Sequence, residues 1–328
     1  MFFLAGTMLF FYNEERRESI MVMDQNADLF VDLSERNYNP MNDVLFKFIF
    51  GKEERKQITI DFLNAVLQHD LQHPIQDITF TQTEMSPINE ADKLTRLDVT
   101  CILDTAEQVD VEVQVVNHQD MERRTLYYWA QLYLMTLPAG KHYRDLKPSI
   151  TINILKFKLL PQNNPYSMWS IYNPETGDRL NKDLTLHFLE IPKYAKKPVA
   201  EMTKMERWLA YFANQLDDNE KEELSMSDTA IKSAMQAARI FLNNTEERRR
   251  YINREMAIMD YNSDHEAAIA QGRAEGRAQG LAQGLAEGER KNQEQTALDM
   301  LRDNMDMQRI MKYTHLSAER IAELAKTL

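Results

Sequence analysis

Two short stretches of alternating apolar and polar residues follow one another in the first half of the chain, at Leu97–Leu103 and Gln108–Val116. Both are rich in β-branched residues, and the polar link Asp104–Glu107 between them is typical of a turn. Glu112 and Gln114 are two residues apart, so they lie on one face of the second stretch, while valines occupy the other face. The pattern predicts an antiparallel β-hairpin.

Helical and strand patterns on both sides of this hairpin predict an α/β core with a mixed central sheet. Asn39-Pro40 is typical of a helix start, and apolar residues then recur at helical spacing to Ile49. The helix that follows the hairpin has a broad apolar face, including Leu126 and Leu134, which we expect to pack inward. The other predicted elements are helices Glu54–Gln68 and Asp120–Leu137, a polar loop Ser86–Lys93, and strands Ile75–Thr83, Ser149–Phe157, Ser167–Tyr172 and Leu184–Ile191.

From about Met202 the pattern changes to consecutive helices, predicted at Met205–Leu216, Ser225–Leu242 and Thr245–Ile258. Glycine then recurs every four residues from Gly272 to Gly288, so that five of the nine glycines lie in one short segment.

This repeat has two interpretations. Glycine costs about 1 kcal/mol relative to alanine inside a helix, which favours a flexible linker. The regular period instead favours a helix whose stripe of small residues lets another backbone approach. We favour the helix, and with it a homo-oligomer that forms through the C-terminal helical region. Three short helical pieces are predicted in Leu298–Leu328, with Ser317 at a helix start.

Predicted boundaries follow these changes in pattern. They are an N-terminal extension at residues 1–38, an α/β core at 39–200, a helical extension at 201–262, a Gly/Ala period-four helix or linker at 263–290, and a small helical tail at 291–328.

Composition fits one substantial domain with room for a second: 328 residues, 43% hydrophobic and 27% charged. The net charge of -12 gives no overall basic signature for nucleic acid, so such a site would depend on a local basic groove and on metal. The single cysteine, Cys101, excludes an internal disulfide and a cysteine-rich zinc site.

The first segment, Met1–Tyr12, is strongly apolar but too short to span a bilayer, and it lacks the basic n-region of a signal peptide. We favour a start placed too far upstream, with Met21 or Met23 as the true start; a packed strand or an anchor is the alternative. We therefore expect a cytoplasmic protein without a membrane partner.

Two acidic side chains face each other in the predicted hairpin. Asp98 lies near the start of the first strand and Glu112 lies on the second, and like charges directly opposite destabilise a strand pair. A divalent cation would compensate for this repulsion.

From Asn39 to the mid-200s, the chain resembles the recombination-promoting nuclease/transposase family of the PD-(D/E)XK nuclease superfamily. The resemblance rests on five ordered stretches: NDVLFKFIFG (Asn42–Gly51), RLDV (Arg96–Val99), VEVQ (Val111–Gln114), ERRTLYYWAQLY (Glu122–Tyr133) and LKPSITINIL (Leu146–Leu155).

That resemblance implies a restriction-endonuclease-like α/β core, with a mixed central sheet flanked by helices, and an all-helical C-terminal region. It implies catalytic roles for Asp98, Glu112, Gln114 and Asp43. A Mg²⁺ or Mn²⁺ ion would be held by Asp98, Glu112 and the carbonyl of Val113. For Asp43, a simple charge at a helix terminus is an equal alternative. Gln114 stands where the superfamily usually has lysine, which removes a positive charge from the site.

The implied function is a metal-dependent DNA endonuclease that acts in recombination or on mobile or foreign DNA. Arg96, Arg123, Arg124 and Tyr127 are the expected DNA contacts, although the arginines would also suit a solvated helix face. One alternative is a catalytically weak DNA-binding or oligomeric module derived from a nuclease fold. Another is a mixed α/β protein whose acids are structural.

Overall fold

The computed structural model describes residues 38–82, 84–85, 95–137 and 140–328. The expectations for residues 1–37, for the loop Ser86–Lys93 and for a helix end at residues 138–139 lie outside the described residues. The chain divides into two compact units, one ending at Ile258 and the other spanning Met259–Leu328.

A mixed sheet forms the centre of the first unit. Its strands are β1 (Ile78–Phe80), β4 (Val99–Leu103), β5 (Gln108–Gln114), β6 (Ser149–Leu155), β7 (Tyr166–Trp169) and β8 (Leu184–Glu190), while β2 (Glu84–Met85) and β3 (Thr95–Arg96) pair separately. The spatial order in the six-stranded sheet is β1-β4-β5-β6-β8-β7. Strands β5, β6 and β8 run parallel, and the other neighbouring pairs are antiparallel. The predicted fold class and the predicted hairpin, β4–β5, are therefore confirmed.

Nine α-helices lie in the described residues, and those of the first unit flank the sheet. The nine are α1 (Asp43–Phe50), α2 (Lys56–Leu67), α3 (Met121–Met135), α4 (Lys204–Ala213), α5 (Asp218–Ser227), α6 (Thr229–Asn243), α7 (Thr245–Arg302), α8 (Met307–Thr314) and α9 (Ala318–Ala325). The single helix predicted at Ser225–Leu242 is wrong at its start. Asp228 separates two helices there, because its side chain accepts hydrogen bonds from the N–H groups of Ala230 and Ile231 and so caps α6.

The two faces of the sheet differ in chemistry. Alternate residues of β5 and β6 form an apolar face that packs into one core with α1, α2, α4 and α6, so residues 201–243 share the sheet's core. The residues between them form a polar face. The apolar face contains Val109, Val111, Val113, Ile150, Ile152 and Ile154, and the polar face contains Asp110, Glu112, Gln114, Ser149, Thr151 and Asn153.

Helix α3 covers the polar face. The Thr125 hydroxyl donates to Asn153 Oδ1 at 3.1 Å, and Trp129 Nε1 donates to the backbone oxygen of Ser149 at 2.9 Å. Met121, at the start of α3, packs against apolar residues of β6 and β8. The helix therefore meets the sheet partly through hydrogen bonds.

The inward face predicted for α3 is wrong at Leu126 and Leu134, although Trp129, which belongs to the same predicted face, does contact the sheet. Leu126 and Leu134 are 47% and 61% exposed, whereas Met121, Thr125 and Leu132 are buried. The reason is that the sheet surface beneath α3 is polar, so Thr125, which can bond to Asn153, faces inward instead of Leu126 and Leu134.

The start of α1 also differs from the sequence prediction. Asn42, not Asn39, caps the helix, because its side chain accepts hydrogen bonds from the first-turn N–H groups. Side chains of α7 hold this end in place. Glu255 accepts from Asn42 Nδ2 at 2.8 Å, and Arg254 Nε donates to Asp43 Oδ1 at 2.7 Å.

In the second unit, the glycine repeat lies within α7, as the helical interpretation predicted. A Cβ atom added at any of its five glycines would meet nothing within 4 Å. A small core follows, and Ser317 caps α9 as expected; this core contains Ala297, Ile310, Ile321 and Leu324. Among the described residues, every helix is too short or too polar to serve as a membrane span.

Candidate active site

Asp98 and Glu112 lie side by side across the β4–β5 hairpin. Val99 pairs with Val111, and the same register places Asp98, one residue before β4, opposite Glu112. The Asp98 N–H donates to Glu112 Oε1 at 2.9 Å, and the Val113 N–H donates to Asp98 Oδ2 at 2.9 Å. The predicted proximity of these two carboxylates is confirmed; their catalytic role stays a prediction.

Two further side chains contact this carboxylate pair. Gln114 Nε2 donates to Glu112 Oε2 at 3.0 Å, and Lys47 Nζ, from α1, lies 3.0 Å from Asp98 Oδ1. A carboxylate offers about four lone-pair sites, so these contacts leave room for a cation. Lys47 lies in the NDVLFKFIFG stretch, but it is not among the site residues predicted from the sequence.

Burial changes the acidity of both carboxyl groups. Burial, and after it the charge of Asp98, raises the pKa of Glu112 to about 8. The pKa of Asp98 is also raised by burial, although the Lys47 ammonium opposes that rise. Without a cation, the site therefore favours a protonated carboxyl group; a divalent ion would favour the charged forms.

Asp110 is a third acid, which the predicted site did not include. It is buried, and neither carboxylate oxygen has a hydrogen-bond partner among the described residues. Burial, and then the charges of Glu112 and Asp98, raise its pKa well above the usual range. The signal was present in the sequence, because Asp110 lies two residues before Glu112 and so shares its face.

The other predicted site residues lie at different distances from this pair. Arg124 is half-buried; its Nε donates to the Tyr128 hydroxyl at 2.8 Å, and its charge lowers the pKa of Glu112 against the larger effect of burial. Arg123 and Tyr127, on the same helix, are exposed. The backbone of Arg96 lies in β3, and its side chain lies outside the described part of the structure.

Asp43 does not contact Asp98 or Glu112. It lies one turn before Lys47 in α1, and its carboxylate pairs with Arg254. Its negative charge nevertheless acts on Asp98, where it adds to the rise in pKa. The structure thus gives it a helix-terminus position near the site.

The donor set suits a hard cation. Mg²⁺ and Mn²⁺ prefer carboxylate, carbonyl and water oxygens, and Asp98 and Glu112 present two carboxylates with raised pKa values. Within the described ranges, no group of three or more His, Cys, Asp or Glu side chains is arranged to hold a metal ion. An ion here would therefore depend on these two carboxylates, a backbone carbonyl and water.

Comparison with known families agrees with this geometry. A family model described as PD-(D/E)XK nuclease family transposase matches residues 40–268, more than half of the chain, and the match includes α1, the hairpin and α3. The chain matches none of the curated proteins and none of the solved structures. Such a domain points to a nuclease-like or transposase-like function. The chain thus belongs to the PD-(D/E)XK nuclease family transposases.

Proposed function

We propose that the chain is a metal-dependent DNA endonuclease that hydrolyses phosphodiester bonds. The observation that carries this proposal is the buried, cross-bonded carboxylate pair of Asp98 and Glu112. Buried acids with raised pKa values are costly, and such costs are concentrated at functional sites. A setting in recombination or on mobile or foreign DNA is part of the proposal.

Hydrolysis requires an added water and a stabilised phosphate. The water oxygen adds to phosphorus, one P–O ester bond breaks, and the proton that the water loses is balanced by a proton gained by the leaving oxygen. Bound Mg²⁺ or Mn²⁺ would supply charge neutralisation and a more acidic water. Asp98, Glu112 and the carbonyl of Val113 would hold this ion.

Gln114 would orient the attacking water. Its amide nitrogen already donates to Glu112 Oε2, which leaves its amide oxygen to accept a hydrogen bond from water. A neutral amide cannot supply the positive charge that lysine would. We therefore expect greater dependence on the metal than in relatives that have lysine at this position.

DNA would lie along the start of α3. Arg123 and Tyr127 are exposed there, and the charge of Arg124, on the same helix, lowers the pKa of Glu112 against the larger effect of burial. Arginine suits phosphate, and an exposed tyrosine suits stacking or sugar contacts. Arg96 is proposed as a further phosphate contact, and Asp43 as an acid that tunes the site from α1.

Nicking of supercoiled plasmid by the purified chain tests the proposal. We expect cleavage with Mg²⁺ or Mn²⁺ and none with chelator. Asp98→Asn and Glu112→Gln should each reduce the rate at least about 100-fold, because each removes a charged oxygen ligand.

Glu175→Gln is the matched control. Glu175 is an exposed acid in the β7–β8 connection, so its loss should leave the rate unchanged. Equal cleavage by wild type and both site variants would place the activity elsewhere. No cleavage by the wild type would favour the binding-module alternative.

We also propose that residues 264–328 support a homo-oligomer. The glycines of α7 leave open space around the backbone, which would let a second helix approach closely. Light scattering should show that a chain truncated after Ser263 assembles from fewer protomers than the full-length chain. An unchanged number of protomers would exclude this role.

A further inference from the structure

The site has more negative than positive charge. The site contains three acids: the charges of Glu112 and Asp98 raise the pKa of Asp110, the charge of Asp98 raises the pKa of Glu112, and Gln114 beside them is neutral. Phosphodiester hydrolysis adds more negative charge as the transition state forms, and positive groups already in place stabilise that charge. A second cation besides the metal would therefore be useful at this site.

Lys47 is a cation within hydrogen-bond reach of the carboxylate pair. Its Nζ lies 3.0 Å from Asp98 Oδ1, and its side chain is 41% exposed. The Asp98 carboxylate thus lies inside the site, whereas the Lys47 side chain is open to solvent, where a DNA phosphate would approach. Only the lysine end of this ion pair is exposed, because the Asp98 side chain is 11% exposed, so the contact reaches from solvent into the buried carboxylate pair.

Arg124, the other cation that acts on Glu112, is committed elsewhere. Its Nε donates to the Tyr128 hydroxyl, and its guanidinium lies 5.1 Å from the centre of the same ring. Its nearest partner is therefore an aromatic side chain, whereas the partner of Lys47 is a carboxylate of the site itself.

The helix that carries Lys47 is fixed at both ends. At its start, Asn42 caps the helix and also donates to Glu255. At its end, Gly51 lies next to β4, because an added Cβ there would be in ordinary contact with Val99 at 3.5 Å. The fold thus presents the lysine from a rigid element on the Asp98 side of the pair, while Gln114 occupies the Glu112 side.

We propose that Lys47 is a catalytic residue whose ammonium group contacts the scissile phosphate and replaces the positive charge missing at position 114. In the resting protein it pairs with Asp98. When DNA and metal are bound, the ammonium donates to a non-bridging phosphate oxygen and stabilises the charge that develops there. This inference rests on the proposed nuclease function.

The experiment compares single-turnover nicking by wild type, Lys47→Met, Lys47→Arg and the double variant Lys47→Met with Gln114→Lys, all in Mn²⁺. We expect Lys47→Met to lose at least about 100-fold in rate and Lys47→Arg to lose less. The double variant should recover at least about tenfold over Lys47→Met, because the charge returns from the Glu112 side. A purely structural lysine would not be rescued in this way.

Two controls separate catalysis from folding and metal binding. Lys52→Met removes an exposed lysine just beyond α1 and should cut at the wild-type rate. Calorimetric Mn²⁺ affinity of Lys47→Met should be no weaker than that of wild type, because the ammonium no longer competes for Asp98. Weaker affinity, or a melting temperature lowered in every Lys47 variant, would make the residue a positioning or structural one.

The outcomes distinguish the two proposals. The role of Lys47 is overturned, and the nuclease function stands, if the wild type cuts and Lys47→Met cuts equally fast. The same conclusion follows if the wild type cuts and Gln114→Lys does not rescue Lys47→Met. Wild type that does not cut with either metal overturns the nuclease function, and the role of Lys47 with it.

Discussion

Strand β5 presents two different surfaces, and its residues alternate between them. The surfaces are formed by Val109, Val111 and Val113 on the apolar face and by Asp110, Glu112 and Gln114 on the polar face. All six side chains are buried, but only the valines gain from losing water. The acids have raised pKa values, and Asp110 has no hydrogen-bond partner among the described residues. One face thus stabilises the sheet, and the other carries the cost of a charged site.

The largest effect on stability should come from the apolar face. Ile152 is fully buried between the sheet and the helices, so Ile152→Ala should lower the free energy of unfolding by about 2 to 5 kcal/mol. Urea unfolding followed by circular dichroism measures this change. Ile240→Ala is the control, because Ile240 is 66% exposed on α6, and we expect a change below about 0.5 kcal/mol. Equal effects would mean that the apolar face is not the main source of stability.

On the polar face, Glu112→Gln should stabilise the metal-free protein at high pH. The pKa of Glu112 is raised from its ordinary 4.5 to about 8, so folding favours the protonated form. That contribution is fully present below pH 4.5 and is lost as the pH rises through about 8. Wild type in chelator should therefore lose up to a few kcal/mol across this window.

Melting temperatures from pH 5 to 9 measure this loss. The melting temperature of Glu112→Gln should decline less with rising pH than that of the wild type. Some decline should remain, because the pKa values of Asp98 and Asp110 are also raised. Saturating Mg²⁺ should reduce the decline in wild type only. Parallel curves for the two proteins in chelator would contradict the view that Glu112 carries a buried charge at high pH.

The smallest effects should come from two threonines. The hydroxyl of Thr151 is buried without a partner in the described part of the chain, so Thr151→Val should stabilise the protein by about 1 kcal/mol. Thr125 is equally buried but donates to Asn153, so Thr125→Val should destabilise by about 1 to 2 kcal/mol. Urea unfolding of both variants should show opposite signs. The same sign would mean that the polar face is bonded differently.

The hairpin and its acid pair could be predicted from the sequence because both depend on local rules. Alternation with period two assigns Glu112 and Gln114 to one face, and a short turn limits the register that brings Asp98 opposite Glu112. The helical state of the glycine repeat was also predictable, because its period is regular over five glycines.

The remainder of the site depends on packing between distant segments. Lys47 and Asp98 are far apart in the sequence, and only the placement of α1 beside β4 brings them together. The exposed position of Leu126 likewise depends on the polar sheet surface beneath α3. Composition and periodicity describe one element at a time, so neither reveals which surface a helix will meet.

Calorimetric titration of Mn²⁺ tests most directly whether Asp98 and Glu112 form a metal site. The wild type should bind Mn²⁺ and release protons, because the raised pKa of Glu112 must fall when an ion binds. The proton release is detected by repeating the titration in buffers with different ionisation enthalpies, since the measured heat then differs between buffers. The double variant Asp98→Asn with Glu112→Gln should lose this binding and the proton release, while Glu175→Gln should keep both. Undiminished binding by the double variant would contradict the assignment of the metal site.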